Sequence, residues 1–501
     1  MKEYLQPLKS SQKVQLTILF GFIVQLIFCV TAVGYFHPDQ HFQIIEFSSY
    51  QLHLPNAATA VWELESSIRP TFQVYIFSAF RICCHFFSID NPFHQLTILR
   101  LLQGVLFFII LNAMALWYCK KKNERKLILV LLLLNFSWIL VYTRTLLSSE
   151  ILSAIFFFPA IMFFQKWYEE NKINFIKSVV VGILLALSFY LRFQIAFAII
   201  GFALWIFFIE KQFRLSFYIL LGFFIGICFN VFLDAQFYHK LVFTPYLYFK
   251  TNILEGVAAS FGEKSFTYYI LILMAVVSAP FLSIAFFYQY AKTSIQNLKH
   301  PLVLSVLFFI IGHCIVGHKE ERFMFTIINV IPIIIGLNDS SFKFLESTFK
   351  WRKLVTFFVI FSVALNSILL VLFVFNPYSQ SISFIDKLSN HFSKQKQAKI
   401  YCYQRTPLQT ESHLPLTYYS GALKNVELIN INNIDSITKN SKETIWLTGT
   451  FNDIKDNFNL IDSLGYKPQL YSSSMLWNIN LLLQKKKINT VNDIWVLYKL
   501  R

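Results

Sequence analysis

The chain has 501 residues, of which 56% are hydrophobic and only 14% charged. A soluble protein of this length needs far more charge, so the composition indicates a polytopic membrane protein. The net charge of +17 does not indicate nucleic-acid binding, because the lysines and arginines cluster in short loops between apolar segments, as topology signals do. The seven cysteines show no CxxC pair and no Cys/His metal spacing.

The first apolar segment, residues 14–34, is long enough to span a bilayer, and three lysines precede it. Because positive charge concentrates in cytoplasmic loops, we expect the N-terminus inside and the following loop outside. Segment 71–87 contains Arg81 and His85, and it cannot also cross if the basic block 120–126 is cytoplasmic. It is therefore predicted to be an interfacial helix on the outer surface.

The later apolar segments alternate in direction in the same way. The two short segments on either side of Arg192 form either two spans or one re-entrant pair. In total the sequence predicts an α-helical membrane protein with about eleven transmembrane helices, at residues 14–34, 96–118, 127–142, 151–164, 178–190, 193–209, 216–233, 267–290, 302–316, 323–337 and 355–375.

Beyond Asn376 the composition becomes polar and rich in asparagine and lysine. We expect a transmembrane domain over 1–376 and a small α/β domain over 377–501, which this topology puts outside. The latter contains no phosphate loop, so a lid or docking platform is the expected role. It is predicted from a helix pattern at 453–464 and strand patterns at 399–403, 426–431, 444–448 and 494–500.

Charged residues of the predicted outer loops lie at helix ends, where charge is costly and tends to mark function. Asp39 follows a proline, and Glu46 lies seven residues later, so both are candidate general bases. The cations of these loops could hold a phosphate, although each could instead be an interfacial charge: Arg144, Arg192, Lys250, Lys319 and Arg322. A carboxylate that takes the proton of a hydroxyl and cations that bind a phosphate together suit one reaction type. That reaction transfers a group from a lipid phosphate to an acceptor hydroxyl.

Two histidines, His37 and His41, flank Asp39 and raise the question of a metal site. No HxH or HExxH helix spacing accompanies them, and the outer loops offer no further clustered ligands. We therefore expect no required metal and no other cofactor.

Four stretches in chain order carry a resemblance to a known family: residues 36–46 with 62–69, residues 144–149, residues 234–256, and His318–Phe323, which is the most specific. They resemble glycosyltransferase family 22, the GPI-anchor and lipid-linked-oligosaccharide mannosyltransferases of the GT-C superfamily. One departure is Gln40, which stands where the family usually has an acidic residue. Gln40 can only hydrogen-bond, so Asp39 carries the base role alone.

The resemblance implies a GT-C fold for the catalytic transmembrane domain and transfer of mannose, with inversion, from a polyprenyl- or dolichyl-phosphate donor to a lipid or glycan acceptor. It implies Asp39 as the base, with Glu46 in reserve. The implied donor-phosphate ligands are Lys250, His318, Lys319 and Arg322, with Arg144 and Arg192 as further candidates. The residues implied to shape the acceptor site are His37, Gln40, Gln43, Trp62, Glu63, Asp234 and Glu321. Expected partners are the donor, the acceptor and membrane lipids, with no nucleic acid.

Two other interpretations remain at this point. A different GT-C transferase would move another lipid-linked sugar with a similar site. A lipid or sugar transporter should show inverted repeats and charges near mid-membrane, and neither is seen in the sequence. A bacterial inner membrane is the favoured location, because the C-terminal part lacks an Asn-x-Ser/Thr acceptor among its many asparagines; the endoplasmic reticulum is the alternative.

Overall fold

Most of the chain is helical, as expected for apolar segments that must satisfy their own backbone hydrogen bonds in lipid. The computed structural model describes residues 11–54, 62–119, 123–276, 282–338, 342, 352–393, 397–410, 412–437, 444–474 and 494–500. Parts of the two basic stretches used above to predict topology lie outside the described residues, namely 1–10 and 120–122.

The chain divides into two compact units that interleave along the sequence. The first unit comprises Met1–Thr31, Glu65–Tyr75 and Leu99–Phe375. The second unit comprises Ala32–Leu64, Ile76–Ile98 and Asn376–Arg501, so it unites segments of the predicted first outer loop with the C-terminal part. The domain boundaries 1–376 and 377–501 stay a prediction.

The α-helices run in chain order, and each is given its label here. They are α1 Gln12–Thr31, α2 Pro38–Gln40, α3 Phe47–Gln51, α4 Trp62–Glu65, α5 Phe72–Phe86, α6 Pro92–Cys119, α7 Glu124–Phe136, α8 Trp138–Arg144, α9 Ser149–Glu169, α10 Phe175–Leu191, α11 Ala196–Leu204, α12 Phe213–Tyr238, α13 Thr244–Phe249, α14 Val257–Ser260, α15 Tyr268–Val276, α16 Ser283–Gln296, α17 Pro301–Ile315, α18 Phe325–Ile328, α19 Ile331–Ile335, α20 Arg352–Phe375, α21 Gln380–Phe392, α22 Phe451–Lys455 and α23 Phe458–Ser463.

Short turns of other helix types join these elements. Among the described residues, three of these turns are π-helical, with hydrogen bonds from residue i+5 to residue i: His41–Glu46, Trp205–Ile209 and Lys250–Leu254. Four other described turns are 3₁₀-helical: Phe193–Ile195, Glu321–Met324, Thr417–Ala422 and Ile434–Ser436.

Five of the described helices are long and apolar enough to cross a membrane, namely α1, α6, α9, α12 and α20. Two bent pairs raise this number to seven if each pair is one span: α7–α8, bent by 59°, and α16–α17, bent by 117°. Shorter apolar helical segments, Phe175–Leu191 and Phe193–Ile209, coincide with the short spans predicted around Arg192. A multi-pass membrane architecture is confirmed, while the total of about eleven spans stays a prediction.

The continuous helix expected over residues 323–337 is wrong. Three short helices occupy this segment instead: Glu321–Met324, α18 and α19. One physical reason is Pro332 at the start of α19, which has no backbone N–H to donate to the preceding turn. The helix expected near residues 71–87 does form, as the 15-residue α5, and its interfacial location stays a prediction.

Helices α10 and α12 approach each other closely through small residues. A Cβ atom added at Gly182 would lie 2.0 Å from the Ile219 carbonyl oxygen, and one added at Gly222 would lie 2.0 Å from that of Val179. One turn further along, a Cβ at Gly226 would lie 2.5 Å from the Ala186 Cβ. Two small residues four apart on each helix therefore let the backbones touch, as in membrane helix pairs.

We expect Gly222→Val to destabilise the protein by about 3 kcal/mol or more, because overpacking a close contact between backbones forces the helices apart. The measurement is the thermal unfolding midpoint of the detergent-solubilised protein. Gly421→Ala is the control, since a Cβ there meets nothing within 4 Å. Equal midpoints for the Gly222→Val variant and the wild type would contradict this account of the contact.

The C-terminal part of the second unit contains a five-stranded sheet in the order β2-β1-β3-β5-β4. Strand β1 pairs in parallel with β2 and β3, whereas β5 pairs antiparallel with β3 and β4. The strands are β1 Ala398–Tyr403, β2 Val426–Ile431, β3 Ile445–Thr450, β4 Pro468–Ser473 and β5 Trp495–Leu500.

The four strands predicted from sequence are confirmed within two residues at either end, and together with the helices they form the expected α/β arrangement. The helix expected at 453–464 forms as two shorter helices, α22 and α23. Strand β4 was missed in the sequence because it is a half-exposed edge strand that begins with proline and alternates weakly. Its neighbour β5 is almost wholly buried, and its Val496 packs with Leu447 and Ile454 in the core.

Candidate active site

The short helix α2 presents Asp39 at its first turn in the second unit. Pro38 starts the helix with a preset φ, and His37 caps it, since its Nδ1 accepts the Asp39 backbone N–H at 3.3 Å. The Asp39 side chain is 25% exposed and its Oδ1 lies 3.5 Å from His37 Nδ1. Gln40 closes the preceding turn by accepting the Phe36 N–H at 2.9 Å. The backbone of Asp39 is therefore fixed in position, and solvent or a substrate can reach its carboxylate.

Glu46 differs from Asp39 because its side chain is completely buried and its oxygens are occupied. Oε1 accepts from His41 Nε2 at 2.8 Å and from the Tyr418 backbone N–H at 3.1 Å, and Oε2 accepts from the Thr417 hydroxyl. Burial by itself raises the pKa of Glu46, but these hydrogen bonds outweigh burial and hold the pKa below its ordinary value.

The lowered pKa of Glu46 predicts how the stability of the protein depends on pH. The native state holds the Glu46 carboxylate ionised more strongly than the unfolded chain does, so its stabilisation is complete above the ordinary glutamate pKa of about 4.3 and is lost as the pH falls through the folded value. We expect Glu46→Gln to lower the unfolding midpoint clearly at pH 7 and progressively less from about pH 5 down to pH 3. A midpoint difference that stays constant over this range would contradict the prediction.

The remaining predicted residues of the second unit lie around the same loop. Gln43 donates through Nε2 to Glu63 Oε2 at 3.0 Å, and both side chains are buried. Trp62, beside Glu63 on α4, is 43% exposed. Glu63 thus holds the loop through Gln43, while Trp62 lies partly at the surface.

In the first unit, three predicted outer segments meet at one buried carboxylate. Glu150, in the first turn of α9, lies with its Oε1 3.2 Å from Arg192 Nη2 and 3.9 Å from Arg322 Nη1. All three side chains are at most 6% exposed. Both guanidinium groups also lie over the Phe323 ring, at 4.8 and 5.5 Å. Two guanidinium groups therefore share the Glu150 carboxylate.

Residues 318–322 add to this cationic cluster. Glu320 accepts from the Arg322 Nε–H and lies 3.0 Å from His318 Nε2. Lys319 is 3% exposed, and its described hydrogen bonds go to the carbonyl oxygens of Val316 and Gly317. Carbonyl oxygens do not neutralise charge. Within the described part of the chain, Glu150 pairs with Arg192 and Arg322, and Glu320 pairs with Arg322, whereas Lys319 contacts carbonyl oxygens.

Glu321 lies beside this cluster on the more exposed side of the same segment. It pairs with Lys264 at 3.3 Å and accepts from the Tyr268 hydroxyl. Partial burial raises the pKa of Glu321, but the hydrogen bond from Tyr268 and the pairing with Lys264 hold it below the ordinary value. Glu321 is therefore an ionised, half-exposed carboxylate.

Three further predicted residues have other surroundings in the first unit. Arg144 is wholly buried, and its guanidinium donates to the carbonyl oxygens of Leu140 and Leu134, which bridges the α7–α8 bend. Lys250 is about half exposed, with its Nζ 3.6 Å from Glu255. Asp234 accepts from Thr71 and Thr244, so it fastens two loops to the end of α12.

The Asp234 hydrogen bonds join segments that are far apart in the chain. Its Oδ1 accepts from the Thr71 N–H at 2.9 Å and the Thr71 hydroxyl at 2.8 Å, and its Oδ2 accepts from the Thr244 hydroxyl at 2.6 Å. The side chain is fully buried. With every oxygen occupied, Asp234 shapes the loops around it.

Two groups of residues important to this geometry escaped the list drawn from sequence. Glu150 lies one position away from where the family resemblance implies an acidic residue after the Arg-Thr-Leu stretch, so it is not among the predicted site residues. Thr417 and Tyr418 lie in a polar segment without any motif, and no sequence signal points to them. The expectation that no metal is required stays a prediction.

The chain is similar in sequence to GPI mannosyltransferases. Over 189 residues, 37% of this chain, the sequence is 23% identical to GPI mannosyltransferase 3 of Schizosaccharomyces pombe, and this match covers 34% of that protein. Over 357 residues, 69% of this chain, it is 22% identical to GPI alpha-1,2-mannosyltransferase 3 of Mus musculus, with 61% of that protein covered. The chain thus matches less than two thirds of the length of each of these relatives.

Among solved structures, ArnT from Cupriavidus metallidurans bound to undecaprenyl phosphate superposes with a TM-score of 0.53 over 97% of both chains, at 11% identity. At that identity the likeness concerns the fold, and it confirms the GT-C fold. The sequence model of the Alg9-like mannosyltransferase family matches residues 16–411, which is most of the chain. The chain therefore belongs to the Alg9-like mannosyltransferase family.

Proposed function

We propose that this protein transfers a mannosyl residue from a polyprenyl-phosphate-linked donor to a hydroxyl of a lipid-linked or glycan acceptor, with inversion, on the outer face of the membrane. The observation that carries the proposal is the family match over residues 16–411. Relatives named GPI mannosyltransferases favour a glycolipid acceptor, and the undecaprenyl phosphate bound to ArnT favours a lipid phosphate leaving group.

Asp39 is the group to which we assign the proton transfer. Its carboxylate is partly exposed, whereas the Glu46 oxygens are occupied by hydrogen bonds. In the proposed step the acceptor oxygen forms a bond to the anomeric carbon as the bond from that carbon to the phosphate oxygen breaks. The hydroxyl proton passes to Asp39, and the lipid phosphate leaves with the electron pair. Attack on the face opposite the leaving group inverts the anomeric configuration.

The cationic cluster is the part to which we assign the donor phosphate. The leaving group gains negative charge as the bond breaks, and fixed cations in a water-poor setting stabilise that charge strongly. Arg192, Lys319 and Arg322 supply them, and Glu150 orients the two guanidinium groups. Lys250 and His318 are further candidates for the same role.

A transfer assay with purified full-length protein tests this function. Polyprenyl-phosphate-mannose is compared with polyprenyl phosphates that carry glucose or a pentose, using extracted glycolipids as acceptors. We expect release of free polyprenyl phosphate with mannose at least about tenfold faster than with the other sugars. Preference for another sugar would indicate the other type of GT-C transferase. Movement of intact donor between leaflets, without release of the lipid phosphate, would indicate a transporter.

The compartment is either the periplasmic face of a bacterial plasma membrane or the lumen of the endoplasmic reticulum. The family members named above come from eukaryotes, so they do not favour the bacterial membrane expected from the sequence. The proposed chemistry is the same in both compartments.

A further inference from the structure

The loop that carries Asp39 is held at both ends by residues from the C-terminal part of the second unit. At its start, the Tyr378 N–H donates to the Val33 carbonyl oxygen at 2.8 Å. Gly34 beside it has a φ of +88°, and an added Cβ would lie 2.7 Å from the Ser379 Cβ, so only glycine fits this approach. At its end, Thr417 and Tyr418 donate to Glu46.

A π-helical turn makes the second attachment possible. Residues five apart lie about 140° apart around an α-helix, but a π-helical turn is wider and brings positions i and i+5 closer to the same face. His41 and Glu46 are five apart within the turn His41–Glu46, and their side chains are hydrogen-bonded at 2.8 Å. This turn follows α2 directly, so its geometry sets the position of the helix that presents Asp39.

The surroundings of His41 and Tyr418 show that the attachment is built into the fold. The His41 ring is fully buried between the rings of Tyr35 and Tyr419, with centroids at 5.2 and 5.4 Å. Tyr418 donates through its hydroxyl to Gln95 at 2.8 Å, and the Arg81 guanidinium lies 4.9 Å over the Tyr418 ring.

Arg81 extends the same attachment to the helix after Glu46. Its Nη1 donates to the hydroxyls of Ser48 and Ser49 at 2.9 and 3.0 Å. One set of contacts within the second unit therefore links the Asp39 loop to α3, to Arg81 of α5 and to the 3₁₀ turn Thr417–Ala422. A buried carboxylate with all its partners in place fixes geometry, because shifting any partner would leave a buried charge unsatisfied.

We propose that Glu46 is a positioning residue, which holds Asp39 in its reactive place by binding Thr417 and Tyr418, so that the C-terminal part of the chain is required for transfer. This inference rests on the proposed function of Asp39. It also separates the two carboxylates chemically: Asp39 accepts the proton, and Glu46 does not. The contacts of Glu46 with Thr417 and Tyr418 are lost without the 3₁₀ turn Thr417–Ala422, and only its contact with His41 would remain of the three described above.

Two substitutions at one position test the attachment in the full-length protein. Thr417→Val keeps the side-chain shape and removes the hydroxyl, whereas Thr417→Ser keeps the hydroxyl. We expect Thr417→Val to lower kcat about tenfold or more with little change in the KM of the donor, as for a misplaced reacting group, and Thr417→Ser to retain most of the rate. In Glu46→Gln the amide cannot accept from every partner, so kcat should fall further, and adding Thr417→Val should then have little additional effect.

Hydrogen exchange of the peptide covering residues 36–46 supplies a readout that does not depend on activity. We expect faster exchange there in Thr417→Val than in Thr417→Ser. Faster exchange in Thr417→Val, together with a wild-type protein that has no transfer activity, would refute the proposed function but not the attachment of the loop by Thr417. Unchanged exchange together with a wild-type kcat in Thr417→Val would overturn the inference. A Glu46→Gln enzyme as inactive as Asp39→Asn, beside a fully active Thr417→Val, would overturn it as well, because Glu46 would then be a base.

Discussion

Replacing Asp39 by asparagine is expected to lower kcat by about 10²–10⁴-fold, the usual contribution of a general base. Asparagine has the same shape but cannot take up the hydroxyl proton. His37 Nδ1 accepts from the backbone N–H of residue 39, and the substitution leaves that contact in place. The KM of the donor should therefore change little, and the protein should reach the membrane in normal amounts.

The measurement is steady-state transfer at saturating donor and acceptor, with kcat and KM determined separately. Asp90→Asn is the matched control, because Asp90 is a half-exposed aspartate of the same unit that also lies beside a histidine, His85. It should behave as the wild type. A fully active Asp39→Asn enzyme would refute the assignment of the base and, with it, the proposed mechanism.

Replacing Arg192 by methionine is expected to have the second largest effect, on both activity and stability. Of the two arginines that pair with it, the Glu150 carboxylate would keep Arg322, at 3.9 Å, so a weakly compensated charge would remain buried. Breaking such a pair costs about 3–5 kcal/mol of stability. Loss of one cation beside a developing phosphate charge should also reduce kcat about 10²-fold. The measurements are the unfolding midpoint and the transfer rate of the folded protein.

A double variant separates the two effects. In Arg192→Met/Glu150→Met no lone charge is buried, so stability should return close to that of the wild type, while transfer should remain slow. Arg214→Met is the control, since Arg214 is an exposed arginine bonded to Tyr218. Recovery of full activity together with stability in the double variant would mean that Arg192 serves the fold alone.

Much of the fold follows from local sequence patterns. Apolar length identified the five described helices that are long enough to cross a membrane, and alternation identified four strands, since both patterns depend on neighbouring residues. The break at residues 323–337 was missed because a run of isoleucines outweighs one proline in a hydropathy argument. The close contact of α10 with α12 depends on which faces meet, and hydropathy does not encode this.

The candidate site was predictable where a motif lies within one loop. Residues 318–322 and Asp39 belong to such loops, and the structure brings Arg322 together with Arg192. The contacts of Arg144 could not be predicted from the sequence. Its guanidinium binds carbonyl oxygens at the α7–α8 bend, and these become accessible only in the folded chain. The partners of Glu46 could not be predicted, since they are polar residues without periodicity, and Thr417 lies 371 positions further along.

That separation has a consequence for biosynthesis. Translation proceeds at about 5–20 residues per second, so roughly 20–75 s pass between synthesis of Glu46 and synthesis of Thr417. During that interval the Asp39 loop lacks two of the partners that hold its π-helical turn. Because we propose that Glu46 positions Asp39 through Thr417 and Tyr418, we expect the nascent chain to be inactive in transfer until these two residues have been made.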